Sequence, residues 1–365
     1  MRVLVVNAGS SSLRLSVVVE GVREQQRELE RWDGAGEQEA VQELLAGTGP
    51  VDAVGHRGVH GGADRTGPAL VDDAVLAELA ALLDLAPLHQ PRAVVGIASL
   101  RGLLPGVPSV ACFDTAFHAG LPAAAATYAL PAEWNARWRL RRYDFHGLSH
   151  AHAARRAATL LDRPLADLRL VTCHLGAGAS LCAVVGGRSV DTTMGFTPAE
   201  GLVMRTRSGS VDPGLLLWLL QSGGVGVDEL AEVLANRSGL AGLSGTSGDL
   251  RDVRAAAAGG SADAQLAYDV FVHRLAREAG GMVVAAGGLD ALVLTGGIGE
   301  HAPDVRRDLV ARLTPFGAAI DRGRNERAQG DADISAPSAA VRTLVVPAQE
   351  DLQVASEVEA LLGGR

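Results

Sequence analysis

Val5-Val-Asn-Ala-Gly-Ser-Ser-Ser-Leu13 leads from a short apolar run through a turn of small residues into a second apolar run, Leu13 to Val19. Apolar runs joined by a Gly- and Ser-rich turn predict a β-hairpin. Cys173-His-Leu-Gly-Ala-Gly-Ala-Ser-Leu181 repeats that plan about half a chain later. Two such hairpins predict a duplicated α/β domain with a cleft between the copies. A length of 365 residues accommodates about two domains. The small-residue stretch Gly120-Leu-Pro-Ala-Ala-Ala-Ala126 marks the boundary, with no low-complexity linker. The expected domains are 1–120 and 121–352, with 353–365 returning to pack on the first. Between the hairpins, Asp72 to Leu85 carries Val75, Leu76, Leu79, Leu82 and Leu83 at helical spacing before Pro87. Gln265 to Val284 predicts a longer helix with Leu266, Val270, Phe271 and Leu275 on one side. Leu292-Val-Leu294 reads as a buried strand ending in the glycine turn of Thr295-Gly-Gly.

The chain contains no lysine, and its 33 basic residues are all Arg. That composition excludes a Walker-type P-loop, a protein kinase and a pyridoxal enzyme, each of which needs a Lys. A net charge of -9 argues against nucleic acid and anionic membrane as partners. No run approaches the roughly 18 apolar residues of a membrane span, and the N-terminus lacks a signal-peptide core, so a cytoplasmic protein is expected. Cys112, Cys173 and Cys182 are too scattered for a disulfide framework or a zinc site, and Cys173 reads as a buried thiol.

Four loops expose backbone N–H groups of the kind that hold phosphate without side-chain charge: Asn7 to Ser12, His174 to Ser180, Ser244 to Asp249, and Thr295 to Glu300. His and Arg gather in Gly55-His-Arg-Gly-Val-His-Gly-Gly62, Ala86-Pro-Leu-His89, Phe113-Asp-Thr-Ala-Phe-His118 and Arg142-Tyr-Asp-Phe-His-Gly-Leu-Ser-His150. His146 and His150 have i, i+4 spacing but lack the intervening Glu of a metalloprotease helix, so zinc is not expected. In Met204-Arg-Thr-Arg-Ser-Gly-Ser-Val-Asp-Pro213, guanidinium forks suit a trigonal anion better than an ammonium would.

These segments, together with Thr192-Thr-Met-Gly-Phe-Thr-Pro198 and Gly296-Gly-Ile-Gly-Glu300, are collinear over nearly the whole chain with the motifs of the acetokinase family. The chain resembles that family of carboxylate kinases, which shares the duplicated, RNase H-like fold of actin and hexokinase. The resemblance implies two such domains with the active-site cleft between them. It implies reversible, Mg²⁺-dependent transfer of the γ-phosphoryl of ATP to acetate, giving acetyl phosphate and ADP, with Mn²⁺ a possible substitute metal. It also implies a homodimer and closure of the domains during turnover.

Carried onto matching positions, the resemblance makes Arg57 and Arg207 the pair that grips carboxylate and phosphoryl. His146 would hydrogen-bond an equatorial oxygen of that phosphoryl, and Asp114 would position the groups that bind it. Asn7 and Glu350 would hold Mg²⁺, partly through water. His89 and Ser12 would help place substrate and phosphate, alongside Ser10, Arg14, His174, Gly176 and Gly178 on the phosphate side. Asp249, Leu250 and Arg251 would face Gly296, Gly297, Ile298 and Gly299 across the nucleoside. Val59, Leu88, Phe145 and Pro198 would form the apolar wall around the acetate methyl, where one extra methylene is worth only about 1–3 kcal/mol. Propionate is therefore expected to be a poorer substrate.

Several positions depart from the family pattern. Ala177 replaces an Asn, Arg205 and Asp144 each replace a Gly, His301 replaces an Asn, and Pro347-Ala-Gln-Glu350 stands for Pro-Thr-Asn-Glu. These changes lie on the donor side, which leaves a non-ATP donor, a different short acid, or a nucleotide-binding regulator as alternatives. An ion pair between Arg205 and Asp144 is one expected compensation.

Overall fold

The computed structural model describes the chain except for residues 9–11, 31, 33–35, 59, 83–89 and 364–365 and the side chains of residues 12, 30, 37 and 90. Contacts divide the chain into two compact units. The first comprises Met1–Gly120, Phe145–His152 and Gln349–Arg365, and the second Leu121–Asp144 and Ala153–Ala348. The division differs from the expected boundaries at Phe145–His152 and just before 353, for reasons of packing given below.

The first unit holds strands β1 (Arg2–Ala8), β2 (Ser12–Val19), β3 (Val22–Glu30), β4 (Ala53–Gly58), β5 (Ala69–Leu70) and β6 (Ser109–Phe113). They form one sheet in the order β3-β2-β1-β4-β6-β5. β1 and β2 are the predicted hairpin, antiparallel with Asn7 opposite Arg14. β1, β4 and β6 run parallel. Apolar side chains on both faces of β1 explain its central place, since a parallel strand must be covered on both sides. Leu4 and Val6 pack into a core with Leu15, Val17, Trp32 and Val41. Val3 and Val5 face the other way, onto Val354, Ala355 and Val358 of the last helix, Glu350–Gly363.

Leu148 joins that second cluster beside Val110 and Cys112, which draws Phe145–His152 into this unit. Gly147 locks it there: a Cβ at this position would lie 1.9 Å from the carbonyl oxygen of Asp114. Asp72 caps the helix Asp73–Ala80 by accepting from the N–H of Val75, and Val75 and Leu79 are buried. The helix ends before the predicted Leu85, and Leu83 lies outside the described residues.

The second unit repeats the plan with β7 (Arg169–Leu175), β8 (Ala179–Val185), β9 (Arg188–Thr192), β10 (Ala291–Thr295), β11 (Ala332–Asp333) and β12 (Arg342–Val345). Read from β9, its order is β9-β8-β7-β10-β12-β11, the counterpart of the first sheet strand for strand. The β7–β8 hairpin is antiparallel, while β7, β10 and β12 are parallel, so the duplication read from the two hairpins holds.

The helix Ala262–Ala285 packs on β7, β8 and β9 and on the helices Gly239–Ser244 and Leu250–Ala258, and buries Ala264, Ala267, Phe271, Leu275, Ala279 and Met282. Leu266, expected on this face, is instead 55% exposed. The buried face includes Ala264, Ala267 and Ala279, so it is not the face that hydrophobicity alone selects. Among the described residues no helix is long and apolar enough to cross a membrane. All three cysteines are free and buried, and burial pushes the Cys173 thiol up.

Candidate functional site

In the first unit, parallel pairing sets Val6 beside His56 and Arg57 beside Cys112. Asn7, Arg57 and Asp114 therefore follow one another across the C-terminal ends of β1, β4 and β6, the edge where open α/β sheets bind ligands. Arg57 is the hub. Its Nη2 and Nε donate to Asp114 Oδ2 at 2.8 and 3.2 Å. Its Nη1 donates to Glu350 Oε2 at 2.7 Å and to Asn7 Oδ1 at 3.2 Å. Asn7 Nδ2 closes the ring by donating to Glu350 Oε2 at 3.1 Å.

Burial works against the Arg57 charge, but the carboxylates of Asp114 and Glu350 outweigh it and hold its pKa above the ordinary value. Burial likewise pushes the Asp114 carboxyl up, with Arg57 opposing and Glu350 adding. A hydrogen bond from the backbone of Leu148 also opposes the effect of burial on Asp114. The carboxylates of Asp114 and Glu350 and the amide oxygen of Asn7, gathered on Arg57, are the oxygen donor types that a hard cation such as Mg²⁺ or Mn²⁺ prefers. The residues present fit the expected metal.

His146 sits in the turn pinned by Gly147. It is half-buried and has φ 58, a left-handed conformation unusual for a side-chain-bearing residue and found at functional positions. Phe145 is buried and meets the His60 ring edge-on at 5.7 Å. Burial lowers the His60 pKa to about 4 and that of His56 to about 3, so both are neutral near pH 7.

In the second unit the β7–β8 turn closes tightly, with the Gly176 N–H donating to the Gly178 carbonyl at 2.9 Å. Gly296 has φ 78, and a Cβ there would lie 2.7 Å from the Leu175 carbonyl oxygen. Only glycine lets the helix Gly296–His301 begin against the end of β7. These two turns and the segment Gly248–Arg251 border a pocket of about 360 Å³. Its apolar lining includes Met204, Leu240, Ile298 and Phe271, and its charged lining includes Arg205, Arg251 and Arg254.

Arg207 lies on the loop that supplies Met204 and is half-buried. Its Nη1 reaches the Pro198 carbonyl at 3.4 Å and Met204 Sδ at 3.7 Å. Among the described residues it has no carboxylate partner, and burial lowers its pKa. An uncompensated, partly desolvated guanidinium is an anion site in waiting.

The model of the acetokinase family matches residues 35–356. The chain belongs to the acetokinase family. An acetate kinase of Synechococcus sp. strain JA-2-3B'a(2-13) is 48% identical to it over 333 residues, 91% of this chain and 81% of the other. The solved acetate kinase of Porphyromonas gingivalis is 34% identical with a TM-score of 0.91, over 99% of both chains. A propionate kinase of Francisella tularensis is 33% identical with a TM-score of 0.89, over 98% of both. This acetokinase is a carboxylate kinase with the two-domain fold of actin and hexokinase.

Of the residues that the sequence assigns to the nucleotide, Gly176, Asp249, Leu250, Arg251, Gly297 and Ile298 line the pocket. Gly178, Gly296 and Gly299 shape its turns, and His174 is half-buried on β7. Arg14 lies in the first unit, exposed on β2 and paired with Glu28 at 3.2 Å. Pro198 is half-buried and lends its carbonyl to Arg207. Ser10, Val59, Leu88, His89 and the side chain of Ser12 lie outside the described residues.

Met204, Leu240, Arg254 and Phe271 also line the pocket, and no local motif announces them. Arg254 offers one signal, its place a helical turn beyond Arg251. The expected Arg205–Asp144 ion pair is not formed. Asp144 is buried at φ 55, a conformation that explains a glycine as the usual occupant, whereas Arg205 is exposed and donates to the Ser247 carbonyl at 3.2 Å.

Proposed function

We propose that this acetokinase transfers the γ-phosphoryl of ATP directly to a carboxylate oxygen of acetate, reversibly, giving acetyl phosphate and ADP. The observation that carries this reading is Arg207, a half-buried guanidinium with only neutral partners beside a nucleotide-sized pocket. The acceptor is already an anion, so no strong base is needed. The barrier is repulsion between that anion and the phosphate, together with charge spread over the transferring group's oxygens. Preorganised cations answer both.

In this reading Arg57 receives the acetate carboxylate and Arg207 the phosphoryl in transit. Asp114 holds the Arg57 fork in a fixed plane through its paired hydrogen bonds, which makes it a positioning group. His146 donates to an equatorial phosphoryl oxygen. Asn7 and Glu350 would hold Mg²⁺, which neutralises donor-phosphate charge when bound; Mn²⁺ suits the same oxygens. Phe145 and Pro198 would contribute to the apolar wall that favours acetate. The likeness to a propionate kinase supports propionate as a weaker second acceptor.

This reading puts the enzyme in the cytoplasm, where ATP is available as donor. The same reading includes a homodimer, supported by the helix Pro213–Gln221, on which Leu215, Leu217 and Trp218 are 45%, 55% and 57% exposed. Contiguous apolar surface of this kind marks association sites. Sedimentation at twice the chain mass is expected, and a monomer at micromolar concentration would count against it.

The function is tested by trapping acyl phosphate as its hydroxamate from Mg-ATP and acetate, with propionate as alternative acceptor and pyrophosphate as alternative donor. Acetyl hydroxamate with ATP is the expected product. None from either acid would contradict the reading.

A further inference from the structure

Three arginines line the pocket of the second unit, and two of them are already engaged. Arg251 pairs with Asp249 at 2.7 Å and Arg254 with Asp304 at 2.6 Å. Arg205 differs: its Nε donates to the neutral carbonyl of Ser247 at 3.2 Å, it forms no ion pair among the described residues, and the Asp249 carboxylate, already paired with Arg251, acts on it only at longer range. Its backbone is firmly held. The Arg205 N–H donates to the Ala177 carbonyl at 3.2 Å, and its own carbonyl accepts the Ala241 N–H at 2.9 Å.

Arg205 is thereby tied to the Gly176-Ala177-Gly178 turn, whose central side chain is only a methyl group. The pocket thus has two chemical characters. Leu240, Met204 and Phe271 suit a flat, apolar base, while the Ala177 turn with the Arg205 guanidinium suits an anion.

We infer that Arg205 is a donor-binding residue that contacts the polyphosphate of the nucleotide, supplying charge where the Ala177 turn has none. The inference rests on reading this pocket as the nucleotide site. It makes Arg205 a determinant of affinity for the phosphate tail rather than for the nucleoside.

Calorimetric titration of the full chain with ADP, AMP and adenosine tests it, using wild type, Arg205→Gln and Arg205→Lys. Arg205 is exposed, so neither substitution disturbs a packed core. In Arg205→Gln the Kd for ADP is expected to rise about tenfold, the weight of one charge-assisted hydrogen bond. Adenosine should bind as before, which also reports an intact pocket. Arg205→Lys should keep most of the ADP affinity, and added salt should weaken ADP binding more in wild type than in Arg205→Gln.

An unchanged ADP affinity in Arg205→Gln, or an equal loss for adenosine, overturns this inference while leaving the nucleotide site in place. Wild type that binds no ADP overturns the site and the inference together.

Discussion

Arg207→Ala is expected to lower kcat by about 10³ with little effect on folding. The size follows from what the side chain does when no substrate is present. It satisfies one carbonyl oxygen and touches one thioether, so its removal strands no buried charge. In the proposed mechanism its role is reserved for the charge that develops on the phosphoryl group. Arg57 gives a less clean test, because its loss would leave the buried Asp114 and the half-buried Glu350 without their shared cation and damage the unit itself. Steady-state kinetics with acetate and ATP, set beside a urea unfolding curve, separates the two effects. A kcat within tenfold of wild type would remove Arg207 from the mechanism.

The second large effect is expected at a residue that no motif announces. Arg306 is 1% exposed, a guanidinium buried with no carboxylate within ion-pair distance among the described residues. It donates to Asn325 Oδ1 at 2.7 Å and to the Asn325 carbonyl at 2.6 Å. It also donates to the carbonyls of Gly299 and Glu300 at 2.9 and 2.7 Å. Burial lowers its pKa, opposed by the charge of Asp304, and these four acceptors help keep the charge tolerable. Two of them belong to the helix Gly296–His301, part of which lines the pocket proposed to hold the nucleotide.

Arg306→Met keeps much of the volume but leaves these acceptors without their donor. A loss of about 3 kcal/mol or more in unfolding free energy is expected. Weaker ADP binding should accompany it. A urea midpoint indistinguishable from wild type would contradict the role of Arg306 as the buttress of that helix.

Much of the fold is legible in short stretches of sequence because its signals are local. A strand, a turn of small residues and a second strand within nine positions define a hairpin, and Val5–Leu13 and Cys173–Leu181 each did so. Their equivalence extended to two whole sheets because each hairpin is the start of the same topology. The covered face of the helix Ala262–Ala285 was not legible. Leu266 carries the stronger hydrophobic signal, yet Ala264 and Ala267 are buried and Leu266 is exposed, since burial depends on which elements pack against the helix.

The site divides along the same line. Asn7, Arg57 and Asp114 each stand in a recognisable motif, but their convergence needs the parallel register of β1, β4 and β6. The bond from Arg57 to Glu350 joins positions 293 residues apart, and nothing near either residue foretells it. The Arg205–Asp144 pairing failed for a related reason. Proximity in a motif pattern says nothing about burial, and a fully buried carboxylate and an exposed guanidinium do not meet.

The central claim is that an oxygen of acetate itself attacks phosphorus. Acetate labelled with oxygen-18 in both positions, incubated with the protein and unlabelled Mg-ATP, tests it through the ³¹P spectrum of the acetyl phosphate formed. Attack by acetate on phosphorus predicts one oxygen-18 bonded to phosphorus, at the bridge to the acetyl carbon. Acetyl phosphate whose phosphorus carries no label would contradict it, because the bridging oxygen would then have come from phosphate and the acetyl group, not the phosphoryl, would have been transferred.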